Sequence, residues 1–488
     1  MLGHLIKKEI LEHLMSLRFA IACVLCLIVI LCSVFVRSQE YAQAVDDRAQ
    51  ETAMERHKVA SMDNPWEIMD GGVSVRPRTN PLKMFVRGVE TTGGGPIRVS
   101  SWRAVEPASP ELQNTAVPLF PAIDLIAFVG IIMSLMAVVF GYDAICGEKQ
   151  RGTLRLMLSY SVPRHTVLIA KWIGGYVTLI TPLLLTVLAG AAIVGAQRDI
   201  ALDAGRWARL AAILGFAVLY VAAMYSLAIY VSCLTANPAT SVLILLSVWV
   251  VVVLAIPNLS PHVAGILRPA ADPLEIAQAR DQVQRSIWDR DEGVMQEKQE
   301  EYEKQHGIPH RWWETDPSFR NKPENQEKLR AWREFMEELD HECTLIILDG
   351  YRKVAERYGR QVDAQTDLSR WIGRVSPFSC FALAATELAD VGIMEGKRYL
   401  EQAYAFQRTL CDYGFNEIRA HREYERKHKK PPPPWNKSKQ KPVPEFHYVP
   451  APPREYVRAA TVDGGILLGG VFVLFMLSFV TFLRYDVR

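Results

Sequence analysis

The 488-residue sequence has no GxxxxGKS or GxxxxGKT stretch, so it lacks a phosphate-cradling loop of its own and cannot hydrolyse ATP by that route. GxSxG and paired-glycine dinucleotide fingerprints are absent too. His341 and Glu342 begin like a zinc-protease helix, but Leu345 stands where the second histidine would be, and two adjacent side chains do not chelate from one helix face. Cysteine is sparse, eight in all. Cys23 and Cys26 form a CxxC inside an apolar run without a second ligand pair, which reads as packing rather than metal or redox chemistry. Cys343, Cys380 and Cys411 are an odd set in a polar region, enough for one disulfide but not for a framework. The chain carries no enzyme signature.

What it has is apolar length. A mean hydropathy near zero averages two very different materials. Six runs are long enough to cross a bilayer: Phe19 to Val36, Pro121 to Gly141, Thr166 to Ala196, Trp207 to Cys233, Thr240 to Ile256 and Gly464 to Leu483. The first, at about 1.5 Å per residue, reaches about 27 Å, close to a hydrocarbon core. Arg37, Ser38, Gln39 and Glu40 follow it instead of a small-residue cleavage site, so it reads as a retained span, preceded by an amphipathic interfacial helix from Leu5 to Leu17. Asp124, Lys171, Arg209 and Asp463 fall near span ends, where water or headgroups are within reach, and no carboxylate or lysine falls mid-span. An ion-coupled carrier needs such groups along its path, so energy must enter from elsewhere. Gly174 and Gly175 in span three and Gly464, Gly465, Gly469 and Gly470 in span six suit helix seams.

Lys7, Lys8 and Arg18, then Lys149, Arg151, Arg155 and Arg164, then Arg484 and Arg488 all fall on one side of six spans. Lysine and arginine near short loops resist translocation, which makes that side the cytoplasm and places both termini there. The Arg198 to Arg206 loop, with two arginines on the other side, is a weak contrary signal. The fold expected is an all-α membrane protein of six transmembrane helices with a large, mainly helical extracytoplasmic domain and a small β-containing part. Its units are 1–36 (interfacial helix and span one), 37–120 (extracytoplasmic, part β), 121–258 (spans two to five, with the cytoplasmic helix 148–164), 259–463 (extracytoplasmic, helical) and 464–488 (span six and tail).

Leu329, Trp332, Met336, Leu339, Cys343 and Ile346 form the stripe of an amphipathic helix, and Ile276, Val283, Ile287 and Val294 form a second. A third helix is expected from about Ala382 to His428, broken near Gly392 and Gly414. In 37–120 the glycine clusters, prolines and the stretches VSVRPR and MFVRGVE favour strands and turns. Within the linker 422–453, Arg422 to Lys441 holds eight lysines or arginines around Pro431 to Pro434, an extended spacer that meets anionic headgroups or an acidic partner, or is merely solvated. Nucleic acid is not an expected partner.

The stretch GEKQRGTLRLMLSYSVPR, residues 147–164, lies between spans two and three. Thr153 is placed to cap a short helix from Leu154 to about Ser161, stopped by Pro163, with Leu154, Met157 and Leu158 on one face and Arg151 and Arg155 on another. Pattern alone leaves two readings open: a docking knob for a soluble partner, or a helix lying under headgroups.

GEKQRGTLRLMLSYSVPRHTVLIAKW resembles the signature of type-2 ABC exporter permeases, in Glu148, Gly152, Thr153, Leu154, Leu158, Pro163, Arg164 and Lys171. NPLKMFVRGVE, RVSPFSCFALAATELA and the ending FLRYDVR are similar to the subgroup related to the permease of nitrous-oxide-reductase maturation systems, here with a large insertion before the last span. The resemblance implies two permease subunits, as a homodimer, and two separate ABC ATPase subunits docked on a coupling helix that includes Arg151 and Arg155. It implies no cofactor in this chain, ATP and Mg being held by the partner. Membrane lipids and an extracytoplasmic protein are further expected partners. Two functions fit: export between two subunits, or ATP-driven motion of the outer bundle acting on a partner with nothing crossing the membrane. The transported substrate is not readable.

Overall fold

The computed structural model describes residues 2–76, 79–86, 96–105, 124–159, 163–196, 202–289, 292–430 and 442–484. Helix α1 (Leu2–Leu14) is followed by α2 (Leu17–Ser61), which Ser16 starts by accepting a hydrogen bond from the Phe19 backbone N–H at 3.3 Å. At 45 residues α2 is about 67 Å long, roughly twice a hydrocarbon core. Residues 37–61 of the segment expected to be part β are therefore helix. From Arg37 to Ser61 the chain has no glycine or proline and is rich in Ala, Glu, Gln and Arg, so helix propensity carries the first span onward. The breakers begin only at Pro65, where Asn64 caps the short α3 (Pro65–Gly71).

The second span is one helical run of α4 (Leu125–Ala127), a π-helical segment (Phe128–Met133) and α5 (Ser134–Gly141). Tyr220 from span four donates to the Gly130 carbonyl in that π segment at 2.9 Å. Two short helices, α6 (Cys146–Arg151) and α7 (Thr153–Ser159), precede α8 (Arg164–Ala196), α9 (Ala204–Leu234) and α10 (Pro238–Trp249). A second π segment, Val250–Ala255, runs from α10 into α11 (Ile256–Leu267). In chain order there follow α12 (Pro273–Trp288), α13 (Val294–His306), α14 (Trp312–Thr315), the 48-residue α15 (Gln326–Gly373), α16 (Pro377–Leu388), α17 (Ile393–His428) and α18 (Pro453–Leu483).

Among the described residues seven helices are long and apolar enough to cross a membrane, one more than the six runs read from the sequence. The additional one joins α16 to α17 and has the lowest mean hydropathy, 1.3 against 2.2 to 3.2 for the others. Its apolar part, α16, is 12 residues, about 18 Å, too short to cross alone. It packs on α9 and α18 and buries Cys380, Phe381, Ala384, Ala385 and Leu388 in the same core as the spans. The helix ends at Leu388 and restarts at Ile393, as the glycine at 392 suggested, but α17 runs unbroken through Gly414.

A second core lies outside the spans, where α15 and α17 pack with α3 and a two-stranded hairpin. Its strands β1 (Val73–Val75) and β2 (Ile97–Val99) pair antiparallel with Val73 opposite Val99. Of the stretches expected as strands, VSV forms β1, Met84 belongs to a 3-10 turn, and 87–90 fall outside the described residues. Tyr399 of α17 donates to the Val75 carbonyl at 2.8 Å, and Gln407 donates to the carbonyls of Ser100 and Arg103. A third, small core of Ile308, Phe319 and Leu329 with Trp312 and Trp332 closes the tip. The outer end of α2 is bonded to this unit through Glu55 accepting from the Ser74 N–H at 3.1 Å, Arg76 on Glu51 at 2.5 Å and Arg56 on Glu445 at 3.1 Å.

Two expectations about the spans change. Two charges near span ends are held inside the protein rather than reaching water: Asp463, 1% exposed, meets Arg374 at 2.7 Å, and Asp124 caps α4, whereas Arg209 is half-buried with its guanidinium 5.0 Å from the Tyr456 ring centroid. Such pairing offsets the desolvation that snorkelling would have avoided. In span six, a Cβ at Gly465, Gly469 or Gly470 would meet nothing within 4 Å among the described residues, so these three glycines mark no close seam there. All eight cysteines are free thiols. The polyproline run and the basic residues from 431 to 441 lie outside the described residues.

Candidate functional site

The turn after span two is built on the end of span four. Ser232 of α9 accepts hydrogen bonds from the backbone N–H groups of Ile145 and Cys146 at 3.0 and 3.1 Å, which satisfies the otherwise orphaned start of α6. In return Lys149 of α6 donates to the carbonyls of Cys233 and of Thr235, the latter at 3.1 Å, where α9 ends and a cation complements the helix dipole. Gly152, at φ 73°, ends α6 in the left-handed region that a side chain resists, and the chain turns straight into α7. Thr153 is the first residue of α7, and its hydroxyl donates back to the Glu148 carbonyl at 3.4 Å, bridging the two short helices.

Between these helices and α8 sits a buried ionic triad. Lys171 is 6% exposed and its Nζ lies 2.7 Å from Glu148 and 3.1 Å from Glu9. Both carboxylate side chains are nearly buried as well, so the three groups carry a net charge of about −1 in a poorly solvated place. Helix α1 can approach this closely because α8 offers Gly174: a Cβ there would stand 2.7 Å from the Cβ of Glu9. Next to the triad His13 packs near Phe140, and burial pushes its imidazole below the ordinary value. Arg18, at the foot of α2, grips Asp143 with both terminal nitrogens at 3.1 and 3.0 Å and the Tyr142 hydroxyl at 3.1 Å.

The residues singled out from the sequence divide into two sets. Glu148 faces the triad, Leu154 is wholly buried against the membrane core, and Arg164 donates to the Leu483 carbonyl at the end of α18 at 2.8 Å. Arg151, Gly152, Thr153, Arg155 and Pro163 face solvent, with Leu156 beside them at 62% exposed. The expectation that Leu154 presents to a partner therefore changes, because its side chain is already used inside. Leu156 is the exposed leucine of α7, and the side chain of Leu158 lies outside the described residues. Sequence reasoning missed Glu9, Arg18 with Asp143, and Lys149 with the end of α9. One signal was present: Glu9 lies on the stripe of Leu2, Leu5, Ile6 and His13, an acid on the apolar face of an amphipathic helix. Among the described residues no group of histidine, cysteine and carboxylate side chains is arranged to hold a metal ion.

Long apolar helices packed into one core, with a charged turn locked beneath them, define a multi-pass α-helical membrane protein. The chain belongs to the ABC-2 transporter family: the family model described as "ABC-2 family transporter protein" matches residues 4–487, nearly the whole sequence. By that membership it is a membrane permease of the ABC-transporter class. A similar relative is "Probable ABC transporter permease protein NosY" of Stutzerimonas stutzeri, 39% identical over 67 residues. The match covers 14% of this chain and 24% of the relative, so it supports kinship with that subgroup over a limited stretch.

Proposed function

We propose that this permease works in a bacterial inner membrane with both termini in the cytoplasm, as two copies on two separate ATPase subunits that supply ATP and Mg. It receives motion at α6 and α7 and delivers it to the outer unit. The observation that carries this reading is one continuous path. Glu148 of α6 is paired through Lys171 to Glu9 of α1, α1 passes through the Ser16 turn into α2, and α2 rises without a break to the outer hairpin. The path has a buried ionic triad at its lower end, one turn at Ser16 and an unbroken helix above, so few joints stand between the lower end and the outer unit.

The exposed strip of Arg151, Arg155 and Leu156 suits a partner's cleft with an apolar floor and an acidic rim. Simple export does not require a helix twice the membrane's thickness, and for that reason we favour work on an extracytoplasmic protein over translocation between the two copies. A test is to purify the complex with its ATPase and follow thiol labelling at Glu301→Cys, an exposed position of α13. ATP should change the labelling rate. A rate indifferent to ATP in an actively hydrolysing complex would count against transmission.

A further inference from the structure

A cavity of about 290 Å³ opens in the outer unit where α12, α15 and the segment after β2 meet. It is lined by Ser101, Trp102, Gln284, Trp288, Thr344 and Ile347. We propose that this cavity binds a ligand of one chemical class, an uncharged, hydroxylated six-membered ring such as a hexose unit.

The six described side chains that line it are neutral, so among the described residues an ion entering would lose hydration without a counter-charge in the lining. Asp340 stands one helical turn from Thr344 but does not line the cavity. Two indoles supply the apolar wall, and their positions are fixed. Trp66 stacks on Trp102 at 6.1 Å, Phe415 meets Trp102 edge-on at 6.1 Å, and Trp288 meets it edge-on at 6.0 Å while remaining 38% exposed.

The polar inventory is mixed. Gln284 spends its carbonyl oxygen on the Tyr351 hydroxyl at 3.1 Å, leaving its amide N–H groups to donate. Thr344 spends its hydroxyl proton on the Asp340 carbonyl at 2.7 Å, leaving its oxygen to accept. A ligand must then offer acceptors and donors together around an apolar face. A sugar ring does, since each hydroxyl is both and its C–H face packs on an indole, whereas an aromatic side chain has no such rim. The volume, at the lower end of small-ligand pockets, suits one ring with a substituent.

Calorimetry on the full-length chain in detergent, without the ATPase, tests this with glucose and N-acetylglucosamine as probes, and N-acetyltryptophanamide and tetramethylammonium as controls. Because no ATPase is present, a negative result leaves the coupling reading standing. Saturable binding of a sugar is expected, weakened about tenfold or more by Trp288→Ala and separately by Gln284→Ala, with a cooperative melting transition in each variant showing that the fold is kept. Binding of either control in preference to both sugars, absence of saturable sugar binding, or sugar binding indifferent to both substitutions would overturn the assignment.

Discussion

Lys171→Met removes the only cation facing Glu9 and Glu148 in the triad and keeps a side chain of similar length. Two carboxylates, their side chains 10% and 14% exposed, are then left near each other without it, and one oxygen of Glu148 is buried with no hydrogen bond even in the intact triad. Breaking a buried pair by deleting one partner typically costs about 3–5 kcal/mol, because the residual charge stays desolvated. Glu148→Gln should cost less, about 1–2 kcal/mol, since the amide oxygen still accepts from Lys171. The double variant Glu148→Gln with Lys171→Met should lose less than the sum, because one of the stranded charges is gone. Denaturant unfolding of the detergent-solubilised chain reads all three. A loss below about 1 kcal/mol for Lys171→Met is what a solvated surface pair gives, and it would refute the claim that water is excluded there.

Leu156→Glu should leave folding within about 0.5 kcal/mol, as befits an exposed site, yet abolish capture of the ATPase in a pull-down. Leu154→Ala should instead cost about 2–5 kcal/mol of stability, and equal capture by both variants would leave α7 without a docking role. In the outer unit, burial raises the Asp340 pKa to about 6, above its unfolded value of 3.8. A raised carboxylate pKa means that the folded state holds the proton more tightly, so its contribution is present below about pH 4 and lost as pH rises through about 6. Asp340→Asn should therefore raise the melting temperature at pH 8 and little at pH 4, and a gain equal at both pH values would contradict it. Cysteines at Arg155 and Glu301 should differ in intact cells, the second labelled by an impermeant thiol reagent and the first shielded; labelling of both would overturn the six-span orientation.

The membrane helices and the amphipathic stripes of the outer unit were legible because each has a period or a length that only helix satisfies, as Leu329 to Ile346 in α15 illustrates. The extension of α2 was not, because Arg37 to Glu40 looks like a membrane exit and composition does not say whether a helix stops there. The seventh apolar helix escaped for a related reason: α16 is too short to register as a span, and its burial depends on α9 and α18 being beside it. In the charged turn the residue types were visible but their directions were not. Lys171 sits only seven residues into α8, so its capture by Glu9 from 162 positions upstream depends on how α1 folds back. For Leu154 and Leu156, two positions apart on one short helix, the inward and outward sides are set by the bundle above and not by the local pattern.

In the proposed mechanism α2 carries motion from the triad to the outer unit. Ala44 lies exposed on α2 beyond the first span, and Ala44→Pro there removes a helical hydrogen bond and kinks the rod without touching either end. Pulsed electron resonance between spin labels at Glu301→Cys on the two copies, in the reconstituted complex with its ATPase, reads the outer unit directly. Transmission through α2 predicts an ATP-dependent shift in that distance, lost in the Ala44→Pro variant while ATP hydrolysis continues. An unaltered shift in the kinked variant would contradict it.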